Sequence, residues 1–193
     1  MPKLSIKHIF FGLSMLLYIG FPIYLVAKYE ALIGEGVVYR FHPEPVDPFD
    51  PFRGRYVSIN YAEDRMDYPE AEAAWQKGQT VYLVPAQKAD GFTEWQEVLY
   101  TQPSHSNYLE TTVRRVNDEA VFFNLPFEEY FVNEKAAPQI EQFFRDREEA
   151  ELAANLYAEV FIKDGKAILR DIYFYGETLE TYLKNHPQAV ETE

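Results

Sequence analysis

The chain has 193 residues, 47% of them hydrophobic and 25% charged, with 15 Tyr and 15 Phe but no Cys. That length suits one domain with a sizeable core, and so aromatic a composition excludes disorder and favours sheet. The absence of cysteine removes disulfides, thiolate metal sites and thiol nucleophiles. Of the 18 basic and 31 acidic residues, only Lys3, Lys7, Lys28 and Glu30 fall in the first thirty positions, so the remainder carries 15 and 30, a net −15. A domain that acidic repels phosphate backbones, and nucleic acid is not an expected partner.

The first element lies between Ile9 and Ala27, "IFFGLSMLLYIGFPIYLVA", where no residue is charged and Ser14 is the one clearly polar side chain. About 20 apolar residues cross a bilayer as a helix. The run exceeds the ~7–15 residues of a signal peptide's apolar region, and no small-x-small cleavage site follows it. The reading is a cytoplasmic tail at 1–8, a retained transmembrane anchor at 9–27 and a juxtamembrane linker at 28–35. Pro22 is expected to kink the helix, which membrane helices tolerate. Lys3, Lys7 and His8 precede the span and only Lys28 closely follows it, so the positive-inside rule leaves the N-terminus cytoplasmic and the rest of the chain outside.

Residues 36–185 read as the outer domain and 186–193 as a flexible tail. "GVVYRFH" at 36–42 predicts a strand that Pro43 and Pro45 stop. Between Tyr56 and Tyr61, Val57, Ile59 and Tyr61 alternate with more polar positions, predicting a second strand with one apolar face. Pro69, the acids after it and Gly78 predict a short surface helix over "PEAEAAWQKG". "TVYLVPAQ" and "TEWQEVLY" flank Asp90-Gly91 as a hairpin-like pair, and residues 108–116 and 119–125 form another about Asn117-Asp118. Pro138 and the stripe Ile140, Phe143, Phe144 and Arg147 predict the chief helix over 137–153, with the acids of "EEAELAANLYAE" on a solvated face. The Asp164-Gly165 turn between "LYAEVFIK" and "KAILRDIYFYG" is the clearest hairpin signal in the chain. The fold class is therefore α+β and β-rich: an N-terminal transmembrane helix, then a mixed, mostly antiparallel domain, a partly open barrel or a sandwich, with one packed helix.

One corner combines charge with backbone restraint. In "DPFDPFRGRYVSINY", Pro48 and Pro51 push Asp47 and Asp50 toward extended backbone, while Gly54 permits a positive φ or a close approach. The plain reading of Asp47, Asp50, Arg53 and Arg55 is turn capping with local ion pairing; recognition is the alternative, and too few oxygen ligands are present for calcium. Tyr56 and Tyr61, five apart on a strand, point to opposite faces, one to the core and one to the surface.

"RGRYVSINY" resembles the signature of the GDYXXLXY family of bacterial membrane-anchored proteins, with Gly54, Tyr56 and Tyr61 on signature positions, Ile59 in place of the leucine and Arg55 in place of the aspartate. The resemblance extends to "VDPFDPFRG", to "YFVNE" at 130–134 and to the terminal hairpin. It implies a single-pass protein of the bacterial cytoplasmic (inner) membrane with an extracytoplasmic domain, whose partners include a multi-pass membrane protein or another envelope component. Arg55 means that no role needing a carboxylate at that position carries over.

The candidate binding set is Arg53, Arg55, Tyr56, Tyr61, Tyr130 and Glu134, with Asp47, Asp50 and Gly54 as the structural corner; Glu134 can equally favour the dipole of the following helix. No catalytic set, metal site or cofactor is expected. Ser104-His105-Ser106 has loop composition, and adjacent residues rarely present a nucleophile and base to one atom. The strand is also similar to one in type I signal peptidases, but Ser14 lies in the span and Ser58 has no lysine base beside it. The expected function is a non-enzymatic binding or accessory module; the alternative is an envelope enzyme or ligand-binding accessory with a pocket near the Arg-Gly-Arg-Tyr corner.

Overall fold

The computed structural model describes residues 6–44, 56–67, 75–132 and 136–186. The corner at 45–55, with Asp47, Asp50, Arg53, Gly54 and Arg55, and Glu134 lie outside the described residues, as does most of the short helix expected after Pro69. The chain divides at Gly36 into two units.

In the first unit the uncharged run forms part of one helix, α1 (Ile6–Glu35), which contains Pro22 and continues through residues 28–35. At ~1.5 Å per residue its 30 residues span about 45 Å, more than a bilayer core. Its flanks are apolar all round, with Phe10, Phe11, Leu16, Leu17 and Ile23 exposed. Among the described residues it is the one helix long and apolar enough to cross a membrane.

The second unit is built from short antiparallel strands. β1 (Val37–Phe41) runs into β2 (Pro43–Glu44); β3 (Tyr56–Ser58) and β4 (Asn60–Tyr61) lead through a 3-10 turn (Ala62–Asp64) into β5 (Arg65–Asp67). The pairs β6 (Thr80–Gln87) with β7 (Thr93–Leu99) and β8 (Leu109–Val116) with β9 (Ala120–Phe123) form as their turn residues predict. Short β10 (Glu129–Phe131) pairs with β3, and the terminal hairpin joins β11 (Leu156–Lys163) to β12 (Lys166–Phe174). Asp164 and Gly165 both have positive φ, 48° and 78°, the backbone of a two-residue hairpin turn matched to strand twist.

Five strands form one sheet in the order β5-β9-β8-β6-β7, and β1-β11-β12 form another that ends in β13 (Glu177–Thr178). The β2–β4 pair carries the ladder from β1 to the strand leading into β5, bending the whole into a nearly closed, barrel-like wall. At the hairpin tip Gly165 bridges Leu109, with Glu110 N–H donating to Gly165 O at 3.0 Å. Beside β1 closure is different: the Thr93 hydroxyl donates to Arg40 O at 2.7 Å and the Trp95 indole N–H to Glu63 O at 2.6 Å, so side chains join β7 to its neighbours there.

Alternation delivers the core. Val57, Ile59 and Tyr61 are buried while Asn60 is exposed, so the second predicted strand has its apolar face inward. Phe41 is fully buried, with its ring centroid 4.9 Å from Phe127, 5.7 Å from Trp95 and 6.0 Å from Tyr61. Pro85, which cannot donate to a ladder, sits at a register shift of β6 opposite Trp95, where β7 is the strand paired with it.

Among the described residues three helices complete the domain, and here the expectations need correction. The chief helix is two: α2 (Ala137–Asp146) and α3 (Glu149–Asn155), because Arg147 and Glu148 are extended, with ψ near 143° and 138°. Arg147 leaves the helix to lay its guanidinium over Phe143 and Phe174, at 5.2 and 5.7 Å, while bonding Glu151 at 2.9 Å. Its place on the apolar stripe stands, since Ile140, Phe143 and Phe144 are buried beside it. Trp75–Gly78 are coil and turn, not the last turn of a helix. The sequence reading lacked α4 (Leu179–Asn185), which Thr178 caps by accepting from Thr181 N and which buries Leu179 and Leu183.

Candidate functional site

A cleft of about 890 Å³ opens between the two terminal strands of the five-stranded sheet. β7 contributes Thr93, Glu94 and Trp95 and β5 contributes Arg65, Met66 and Asp67; His42, Glu63 and, from α3, Leu152 and Ala153 also line it. The 3-10 turn between β4 and β5 turns Glu63 inward, where it is 8% exposed. Its carboxylate accepts from His42 N at 3.0 and 3.2 Å and faces His42 Nδ1 at 2.8 Å. The imidazole is held flat against Phe92, with ring centroids 3.5 Å apart. Burial pushes the Glu63 carboxyl above the ordinary range, against the hydrogen bonds from His42 that lower it.

Glu63 and Asp64 are consecutive, and Asp64 faces another network. Arg114 of β8 bridges Asp64 and Glu128, the latter at 3.4 Å, and Glu128 also accepts from Leu125 N at 3.2 Å. Burial raises the Glu128 carboxyl, opposed by Leu125 N–H and Arg114. Tyr61, between the two acids, is 1% exposed and donates to Phe127 O at 3.1 Å; burial first, then Glu128 and Glu63, raises its phenol.

Of the sequence-derived candidates, Tyr61 and Tyr130 are core residues. Tyr130 is 7% exposed and donates to Asp171 Oδ1 at 2.8 Å, and its phenol is raised by burial and by that bond. Neither lines the cleft. Tyr56 opens β3 with its side chain outside the described residues, as are Arg53, Arg55 and Glu134. The cleft residues His42, Glu63, Thr93 and Trp95 were not singled out in the sequence; the bonds that join His42 to Glu63, Trp95 to Glu63 and Thr93 to Arg40 span 21 to 53 positions and form only when the wall curls. The available signal was a histidine ending the first strand and an alternating Thr93-Glu94-Trp95.

The groups in the cleft are suited to holding a ligand. Both Glu63 oxygens are occupied, and Thr93, which carries the one hydroxyl of the lining among the described residues, is fully buried and spends it on Arg40 O. Among the described residues no three His, Asp or Glu side chains gather as a metal site.

Two positions of the GDYXXLXY signature are architectural. Ile59 and Tyr61 occupy its fourth and last named positions and are both 1% exposed, with Ile59 N donating to Glu128 O at 2.8 Å. No curated protein and no solved structure matches the chain. The family model described as GDYXXLXY protein matches residues 18–172, most of the chain, and the protein belongs to the GDYXXLXY family.

Proposed function

We propose that this protein is a single-pass module of the bacterial cytoplasmic membrane, with its N-terminus cytoplasmic and its β domain outside, and that its cleft seats a membrane or envelope partner without reacting with it. The observation that carries the reading is the cleft beside β7, whose interior polar groups are committed to one another while its rim is charged and exposed. α1 supplies the anchor, and Lys3, Lys7 and His8 before the span supply the orientation. The alternative, an envelope enzyme, is favoured by one feature, the buried Glu63 beside His42; both of its oxygens are already bonded.

The test is in-cell photocrosslinking of the full chain with a benzophenone side chain at position 94, on the cleft rim, or at position 119, in the β8–β9 turn. A discrete membrane-protein or wall-derived adduct from 94 and none from 119 is expected. Equal or absent adducts would refute the cleft as a seat. A third probe at position 55 tests our further assignment of the Arg53–Arg55 corner to the binding surface.

A further inference from the structure

We infer that the outer face of β1, β11 and β12 carries a binding site of its own, apart from the cleft, at which Arg40 and Arg170 take up a ligand bearing a single carboxylate. Both side chains converge on Glu159: Arg40 Nε and Nη2 donate to Oε1 at 3.4 and 3.3 Å, and Arg170 Nη1 donates to Oε2 at 3.0 Å. Arg40 stands opposite Glu159 by register, whereas Arg170 arrives through a bulge. Glu159 pairs with Asp171 and Val160 with Leu169, so Arg170 is the extra residue, and a bulge re-aims a side chain. The Arg40 guanidinium also lies 4.6 Å from the centre of the Tyr157 ring, and Tyr157 is stacked on Tyr173, 5.1 Å away and within 9° of parallel. The Arg170 guanidinium lies 5.9 Å from the Phe161 ring. None of these residues lines the cleft.

Donors and charge decide the ligand. The Glu159 side chain is 11% exposed while those of Arg40 and Arg170 are 47% and 52% exposed, so the carboxylate forms a floor from which both guanidiniums reach solvent. A guanidinium has five N–H donors in a planar fork that matches a carboxylate with two parallel bonds. Among the described residues the network engages Arg40 Nε and Nη2 and Arg170 Nη1, which leaves Arg40 Nη1 and Arg170 Nε and Nη2 to a further acceptor. Ion pairs to half-exposed arginines add little stability, and sinking Glu159 into the sheet costs hydration. What the arrangement does well is hold two arginines in fixed orientation before a ligand arrives. Two positive charges and one negative leave +1, in a domain whose residues beyond the first thirty carry −15. One added negative charge neutralises the network, and a second meets the repulsive field of the domain. The Tyr173 phenol is raised by burial first, with Arg170 lowering it and Glu159 raising it, so its hydroxyl lies in the field of both and is a donor at neutral pH.

The experiment follows the arginine Nε–Hε resonances of isotope-labelled full-length protein in nanodiscs of zwitterionic lipid. The probes are benzoate, phenyl phosphate, an acetylated alanine tetrapeptide with a free C-terminus, and the same peptide as its C-terminal amide. Saturable shifts of Arg40 and Arg170 are expected with the carboxylates and none with the amide; whether benzoate or the free-ended peptide binds more tightly tells a small acid from a chain end as the source. Arg115, exposed and stacked on Phe122 at 4.1 Å but outside the network, is the control and is expected not to shift. Arg40→Lys and Arg170→Lys keep the charge and lose the fork. Each is expected to weaken carboxylate binding about tenfold, read from the arginine that remains, with an unchanged unfolding midpoint confirming the fold. The probe series on the unaltered protein tests the ligand class independently of the variants. Absence of shifts with both carboxylates, equal shifts with the amide or at Arg115, tighter binding of phenyl phosphate than of benzoate, or undiminished binding by both lysine variants would overturn the proposal.

Discussion

Closure of the wall beside β1 through side chains makes Thr93→Val a sharp perturbation. Thr93 is fully buried and its hydroxyl donates to Arg40 O at 2.7 Å. Valine preserves the branched shape, so the change isolates the hydrogen bond. A net hydrogen bond is worth about 0.5–1.5 kcal/mol, and a buried partner left unsatisfied costs about 1–3 kcal/mol. The expected loss is about 1.5 kcal/mol, which for a domain of this size lowers Tm by roughly 3–6 °C. Full-length protein in detergent micelles is suited to the assay, because Trp95 stands two residues from the change and reports locally by fluorescence. The control is Thr80→Val, at an exposed position of β6, expected within about 0.5 kcal/mol of wild type. Indistinguishable midpoints for the two variants would refute closure by this bond.

Gly165→Ala places a Cβ at positive φ and 3.0 Å from the Tyr108 ring and 3.1 Å from Glu110 Cβ, and is expected to cost about 1–3 kcal/mol by urea denaturation. Arg114→Met leaves Asp64 and Glu128 without their cation; Arg114 is itself a third exposed, so the expected cost is about 2 kcal/mol, read from the same curves. Glu63 and Glu128 have carboxyls raised in the folded state, which therefore binds more protons than the unfolded chain just above the ordinary glutamate range. Their contribution is fully present below that range and is lost as pH rises through the lifted values. Glu63→Gln should flatten the fall of urea midpoints as pH rises from the range in which unfolded glutamate titrates, near ~4.3, through the lifted Glu63 value; an unchanged slope would contradict the burial argument.

Local chemistry was legible in the sequence. Asp164-Gly165 demands positive φ at two successive residues and so declares its hairpin, and the alternation of Val57, Ile59 and Tyr61 declares a half-buried strand. The break at Arg147 was hidden because its cause is tertiary: Phe174, which draws the guanidinium off the helix, arrives from a strand far along the chain. α4 is short and has two buried leucines, too few to establish a helical period against the strand-like run before it. The cleft depends on Thr93 and Trp95 reaching carbonyls of β1 and of the 3-10 turn, and no spacing rule connects His42 to Glu63 before the wall forms. Of the signature positions, Ile59 and Tyr61 serve the core.

The central claim is a retained anchor holding the β domain outside the cytoplasm. Because the chain has no cysteine, single substitutions report position without background. Ser5→Cys and Glu97→Cys, each treated in intact spheroplasts with a membrane-impermeant maleimide, test the claim directly. The account predicts full-length protein in the membrane pellet, labelled at 97 in intact spheroplasts and at 5 only after permeabilisation. Labelling at 5 with protection at 97, or a shortened product released to the soluble fraction, would contradict it.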